Sequence, residues 1–165
     1  MKHEKKKVFE FWNNASCGEE MYLRGNNKED YQAHSEFRYS LEPYIYDFAN
    51  FNSYYDKKVL EIGIGLGADH QYFAEAGAEL YGIDLTERAV IHTKHRLSCF
   101  NLKSKIEKSD AENLSFSDES FDLVYSWGVI HHSPNTQKCV DEIWRVLKDG
   151  GSAKVMIYHK WSMVG

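Results

Sequence analysis

The chain has 165 residues, of which 42% are hydrophobic and 27% charged, with a formal net charge of −5. This length suits one domain with a sizeable core, and the balance excludes a disordered or fibrous chain. Beyond Lys5-Lys6-Lys7 there is no block of basic residues, which disfavours a nucleic-acid partner.

The basic start leads into Val8 to Trp12, a stretch interrupted by Glu10 and too short and polar for the apolar region of a signal peptide. Phe37, Leu41, Tyr44, Ile45 and Phe48 are spaced as one face of a helix, which Pro43 either kinks or restarts at Glu42. Asn50 to Tyr55 reads as a loop, so residues 1–55 are expected to form a helical N-terminal cap or lid.

Residues 56–165 alternate between short apolar runs and amphipathic helices. Val59 to Ile62 reads as a strand ending in glycines, and Ala68 to Ala76 as a helix stopped at Gly77. Leu80 to Asp84 is the next strand. Thr86 caps a helix carrying Ala89, Val90, Thr93 and Leu97 on one side. Ser104 to Lys108 fills the slot of a third strand, and Phe121 to Ser126 forms a fourth. Pro134 is placed to open a helix whose apolar stripe is Val140, Ile143, Trp144 and Leu147. Lys148 to Gly151 then turns into a fifth strand, Ala153 to Tyr158. Such alternation predicts an α/β fold: a doubly wound parallel sheet with ligand sites at the strand carboxyl ends.

Cys17, Cys99 and Cys139 form no CxxC pair, so neither a disulfide framework nor a zinc ribbon is expected. No stretch reaches the roughly 18 apolar residues of a membrane span. A soluble, cytoplasmic protein is the expectation.

The most informative segment is VLEIGIGLGAD, Val59 to Asp69. Gly63, Gly65 and Gly67 follow a strand directly and precede a helix, where glycine permits a tight turn and close approach of a ligand. Gly63, Gly65 and Ala68 also fit G-x-G-x-x-A, with Asp84 lying 21 residues after Gly63, so an NAD(P)-binding oxidoreductase is a real competitor. Charge separates the two readings. A carboxylate at Glu61 would repel a pyrophosphate, whereas it suits a ligand carrying a sulfonium and an ammonium.

The sequence resembles the class I S-adenosylmethionine-dependent methyltransferases, in the branch with ubiquinone-biosynthesis and small-molecule natural-product enzymes. Four motifs match in order: VLEIGIGLGAD; YGIDLT; SDAENLSFSDESFDLVYS; and VIHH followed by EIWRVLKDGGSAKV. The resemblance implies a Rossmann-like sheet of order 3-2-1-4-5 and S-adenosylmethionine as cofactor, with S-adenosylhomocysteine as product. It assigns Glu61 and the three glycines to the cofactor loop, Asp84 to the ribose and Leu85 to the face of the adenine. Asp110 matches the acid that receives the adenine amino group, Ala111 touches the ring edge, and Ser126 and Trp127 present backbone to the methionine end. Family members continue past strand five, so the chain is expected to lack the last two strands and to be truncated at its C-terminus. A non-catalytic cofactor-binding module is then a third reading.

Methyl transfer asks the protein mainly for proximity and orientation, plus a base where the acceptor must lose a proton. His131 and His132, at the end of strand four, are the catalytic candidates. His131 is preferred, against the reading that both are local structure. His159 would line the same pocket. Arg38 or Arg24 would meet a carboxylate of cofactor or substrate and Tyr44 would lie in the lid, unless this segment is simply a packed cap. His92 and His95 have helical spacing, but no carboxylate or cysteine completes a metal site, and a solvated helix face explains them. No Asn-Pro-Pro-Tyr-like tetrapeptide follows strand four, where Ser126-Trp127-Gly128-Val129 stands instead, which favours O- or C-methylation of a small molecule.

Overall fold

The computed structural model describes residues 3–16, 19 and 23–158; Cys17 and the expected pocket residue His159 fall outside them. Five strands, β1 (Lys58–Ile62), β2 (Glu79–Asp84), β3 (Lys105–Lys108), β4 (Phe121–Trp127) and β5 (Leu147–Met156), pair in the order β3-β2-β1-β4-β5, every pair parallel. The order reverses between β1 and β4, the point at which open α/β sheets leave a crevice at their carboxyl ends.

Helices α4 (Ala68–Glu75), α5 (Glu87–Cys99) and α6 (Thr136–Val146) are the crossovers. Before the sheet come α1 (His3–Asn14), α2 (Lys28–Leu41) and α3 (Tyr44–Ala49). Local chemistry sets several starts. Asn27 and Asp30 form a reciprocal capping box on α2, and Thr86 accepts the Ala89 N–H at 3.2 Å on α5. Pro43 restarts the chain as a separate helix.

Period-two alternation divides β1 between two cores. Leu60 and Ile62 join Phe121, Val124, Ile143 and Val146 on one face. Val59 points the other way, with Phe73, Leu80, Leu123 and Tyr125. This second core also contains Tyr39, Ile45 and Ala49 from α2 and α3. Residues expected to form a cap therefore build part of the core beneath the sheet.

Three expectations are corrected. In α2 and α3 the buried face is Tyr31, His34, Ser35, Tyr39 and Ile45, whereas Phe37, Leu41 and Tyr44 are 44%, 57% and 56% exposed. Phe37 and Leu41 already lie off the buried face of α2, and the chain restarts as a separate helix after Pro43, so a stripe drawn through both does not survive. Helix α6 begins after Asn135, whose side chain accepts the Lys138 N–H, and Pro134 lies outside it. Its buried stripe is Cys139, Ile143 and Val146, and Trp144 is 80% exposed. Finally, β5 starts at Leu147, and Lys148 to Gly151 is a bulge within it, between the pairs Phe121–Leu147 and Leu123–Ser152.

Candidate functional site

A cleft of about 240 Å³ opens at the carboxyl ends of β1, β2 and β4. Its floor is the glycine loop. Gly65 has φ +50°, and a Cβ built there would meet nothing within 4 Å, so the backbone itself forms an open cradle. At Gly63 (φ +81°) a Cβ would stand 2.3 Å from the Val129 side chain, which fixes how closely the loop approaches the chain after β4. Two α5 side chains hold the loop from beneath: Thr93 Oγ1 donates to Gly65 O at 3.1 Å, and Arg96 Nη1 to Leu66 O at 3.2 Å.

Asp84, at the tip of β2, accepts the Thr86 N–H (2.9 Å) and hydroxyl (2.8 Å) on one oxygen, and the Gly65 N–H (3.3 Å) on the other. Burial raises its pKa against the lowering effect of these donors. Asp110 follows β3 and accepts from Lys5 Nζ at 2.6 Å; the same ammonium meets Glu112 at 2.7 Å. These pairs bring α1 over the cleft, where Val8 and Trp12 join its wall. The Trp12 ring lies 5.0 Å from that of His132.

Glu61 stands two residues beyond Val59, on the same face of β1, and so meets α4, where its Oε2 lies 2.9 Å from His70 Nδ1. Ser104 spends its hydroxyl hydrogen on Leu80 O (2.8 Å), so His70 Nε2–H must donate to Ser104 Oγ, also at 2.8 Å. One proton is left for the Glu61–His70 contact. Burial, then the charge of Asp69, lifts the Glu61 carboxyl well above its ordinary range, and burial pushes His70 down to about 3, so the proton rests on Glu61. The bare carboxylate expected beside the glycines is thus a carboxyl sharing its proton with a buried histidine.

Asp69, first turn of α4, is the junction between the N-terminal helices and the sheet. It accepts from Arg38 Nη2 (3.0 Å) and Nε (3.4 Å), Tyr39 Oη (2.6 Å) and Tyr125 Oη (2.9 Å). Arg38 also meets Glu42 at 3.3 Å, so the cation expected to await a ligand carboxylate is already paired.

Of the residues singled out from sequence, Glu61, Gly63, Gly65, Gly67, Asp84, Leu85, Asp110, Ala111, Trp127, Arg38 and His132 line this one cleft. Three do not. Ser126 is fully buried within β4, and Tyr44 is exposed, donating to Glu42 with its ring 5.9 Å from that of Trp127. His131, the preferred base, stands behind His132 with the rings 4.0 Å apart, so His132 is the histidine that reaches the cleft. Burial, and for His132 also the neighbouring ring, lowers both pKa values and keeps both imidazoles neutral. His92 faces Glu19 at 3.5 Å, and His95 donates to Asn26 O at 2.8 Å. Lys5, His34, Asp69 and Tyr158 are wall residues that sequence reasoning did not assign to the cleft.

The methyltransferase-domain family matches residues 60–155, the span holding the glycine cradle, Asp84, Asp110 and His132. The chain belongs to this methyltransferase-domain family. Among curated relatives, this methyltransferase-domain chain is 35% identical over 104 residues to phosphoethanolamine N-methyltransferase 2 of Caenorhabditis elegans, covering 62% of the chain and 24% of that protein. It is 33% identical over 109 residues to a sterol 24-C-methyltransferase of Gibberella zeae, covering 64% and 28%. The chain thus spans about a quarter of the length of these two relatives. Among solved structures, the YcgJ protein of Bacillus subtilis superposes with a TM-score of 0.63 at 26% identity, over 67% of this chain and 49% of that one. Among the described residues, no helix of this family member is long and apolar enough to cross a membrane.

Proposed function

We propose that the chain binds S-adenosylmethionine in this cleft and transfers its methyl group to a small-molecule oxygen or carbon acceptor. The observation that carries the reading is the coincidence of the matched family segment with both the open Gly65 cradle and two acidic side chains, Asp84 and Asp110, that line the same cleft.

The residues present fit that cofactor. Asp84 is fixed at the tip of β2 with hydroxyl-accepting capacity for a ribose, Leu85 and Ala111 offer apolar contact to a flat base, and Asp110, which takes Lys5 on one oxygen and the Glu112 N–H on the other, keeps lone pairs for an amino group. Glu61 passes its shared proton to His70 Nδ1 most readily when a cation approaches the carboxyl, which suits an ammonium. When bound, the cofactor supplies an electrophilic methyl on a sulfonium. The chain's own contribution is orientation. Trp12, Trp127, His132 and Tyr158 form an aromatic wall that excludes water from the acceptor, and neutral His132 is placed to take a proton from a hydroxyl. The relatives named for sterols and phosphoethanolamine support a small-molecule acceptor.

Calorimetric titration with S-adenosylhomocysteine, NAD and NADH tests the reading. Micromolar binding of the first alone supports it, while binding of NAD in its place assigns the cleft to a dinucleotide and overturns it.

A further inference from the structure

Two arginines stand near the glycine loop, and they differ in how their charge is met. Arg38 lies in the cleft wall, but Asp69 and Glu42 already hold it. Arg96 is completely buried and lies outside the wall. Its five N–H groups go to Gln71 Oε1 (2.7 Å), Leu66 O (3.2 Å), Tyr31 O (3.1 Å), the Ser35 hydroxyl and His34 Nδ1 (3.2 Å). Every donor is satisfied and no acceptor is charged. A full positive charge therefore sits in the interior with no carboxylate in contact; Asp69 acts on it only from a distance and is itself held by Arg38, so burial still weighs against the charge.

Arg96 reaches the cleft through His34. A guanidinium has only donors, so His34 Nδ1 must accept, and the neutral ring carries its hydrogen on Nε2. The ring is 4% exposed and forms part of the cleft wall. Since Nδ1 is turned to a residue behind the wall, the Nε2 edge is the one presented to the cleft. Burial and the Arg96 charge hold the ring neutral, with a pKa of about 4, so the tautomer does not change near neutral pH. The result is a single hydrogen-bond donor with a buried cation directly behind it, at the end of the cleft where Leu66, Gly67 and Arg38 also lie.

We propose that His34, backed by Arg96, is the seat of the carboxylate at the amino-acid end of the bound cofactor. His34 Nε2 donates the hydrogen bond, and Arg96 supplies the charge that its neutral partners leave unmatched. Arg38, locked to Asp69 and Glu42, instead braces the wall. This assignment rests on the S-adenosylmethionine reading above and names the group that recognises one end of the ligand.

The test is a comparison of two ligands on two proteins. S-Adenosylhomocysteine and its decarboxylated analogue share adenosine, sulfur and amine, and differ only in the carboxylate. His34→Asn places an amide oxygen near the position of Nδ1, keeping Arg96 satisfied, while its NH2 is too short to reach the position of Nε2. The wild-type chain should bind S-adenosylhomocysteine roughly 10- to 100-fold more tightly than the analogue, the range of a charge-assisted hydrogen bond. In His34→Asn most of that ratio should vanish, with the analogue's Kd unchanged. Equal weakening of both ligands, or no discrimination by the wild type, overturns the proposal. Binding of neither adenosyl compound by the wild type overturns the cofactor reading itself. Nitrogen NMR of the unliganded wild-type chain supplies an independent check. His34 should show an unprotonated Nδ1 and a protonated Nε2, and the reverse tautomer defeats the assignment whatever the variant does.

Discussion

Replacing Asp69 by asparagine is the sharpest test of how the N-terminal helices are joined to the sheet. The carboxylate is 4% exposed and receives two N–H groups of Arg38 and two tyrosine hydroxyls, Tyr39 from α2 and Tyr125 from β4. Asparagine keeps one oxygen and puts an NH2 where the other stood. Whichever way the amide turns, it faces one Arg38 N–H donor to donor. The tyrosine on that side can accept from the NH2 only by leaving its own hydrogen without an acceptor. One charge-assisted hydrogen bond is lost, about 1.5–3 kcal/mol, and Arg38 loses its main counter-charge. Breaking a buried pair by removing one partner costs about 3–5 kcal/mol, and because the Arg38 side chain is 24% exposed the lower end, about 3 kcal/mol, is the expectation. The assay is urea denaturation read by linear extrapolation. Asp118→Asn is the control, because Asp118 also meets an arginine, at 2.8 Å, but has a side chain 74% exposed, so its loss should cost less than about 1 kcal/mol. An Asp69→Asn variant within about 1 kcal/mol of the wild type would refute the reasoning, and with it the claim that this carboxylate is the joint.

Deleting residues 1–50 removes Tyr31, Tyr39 and Ile45 from buried positions. At about 1.5–3 kcal/mol for each large side chain, the loss approaches the whole stability of a small domain, so the remainder should lack a cooperative thermal transition; a sharp one would show that the sheet stands alone. Stability should peak near pH 6.5. On the acid side, His34 has a folded pKa of about 4 against 6.5 unfolded, so only the unfolded chain binds this proton as pH falls between the two. By pH 5 that amounts to about 2 kcal/mol, which His34→Asn should abolish. Above 6.5, the folded Glu61–His70 pair keeps a proton that the unfolded pair releases, so stability falls as pH rises until the raised Glu61 pKa is passed. Glu61→Gln should flatten that limb, and an unchanged limb would mean the pair is wrongly protonated here. His132→Ala should slow methylation of a hydroxyl acceptor by about 10²–10⁴-fold with S-adenosylhomocysteine binding intact, whereas His131→Ala should cost far less; the opposite ranking would return the base to His131.

The sheet was readable because each strand is a short apolar run closed by a turn signal, and parallel pairing follows once helices lie between them. The glycine loop and Asp84 were readable because their spacing along the chain is itself the geometry. What escaped was whatever depends on contacts between distant segments. Lys5 meets Asp110 from 105 residues away, and Arg38 meets Asp69 across 31. No local pattern tells a paired arginine from a free one, which is why Arg38 looked like a ligand group. Arg96 did leave a trace: it falls at i+3 from Thr93 and i+7 from Ala89, within the stripe that faces the protein interior. A cation on an apolar stripe must be met by acceptors or by a ligand, and in this chain five neutral acceptors meet it without cancelling its charge. That residue, rather than the arginine displayed in the cleft wall, is where the electrostatics of the cleft are set. His34, fixed by it as an Nε2–H donor, turns an interior charge into a directional contact that a carboxylate can use.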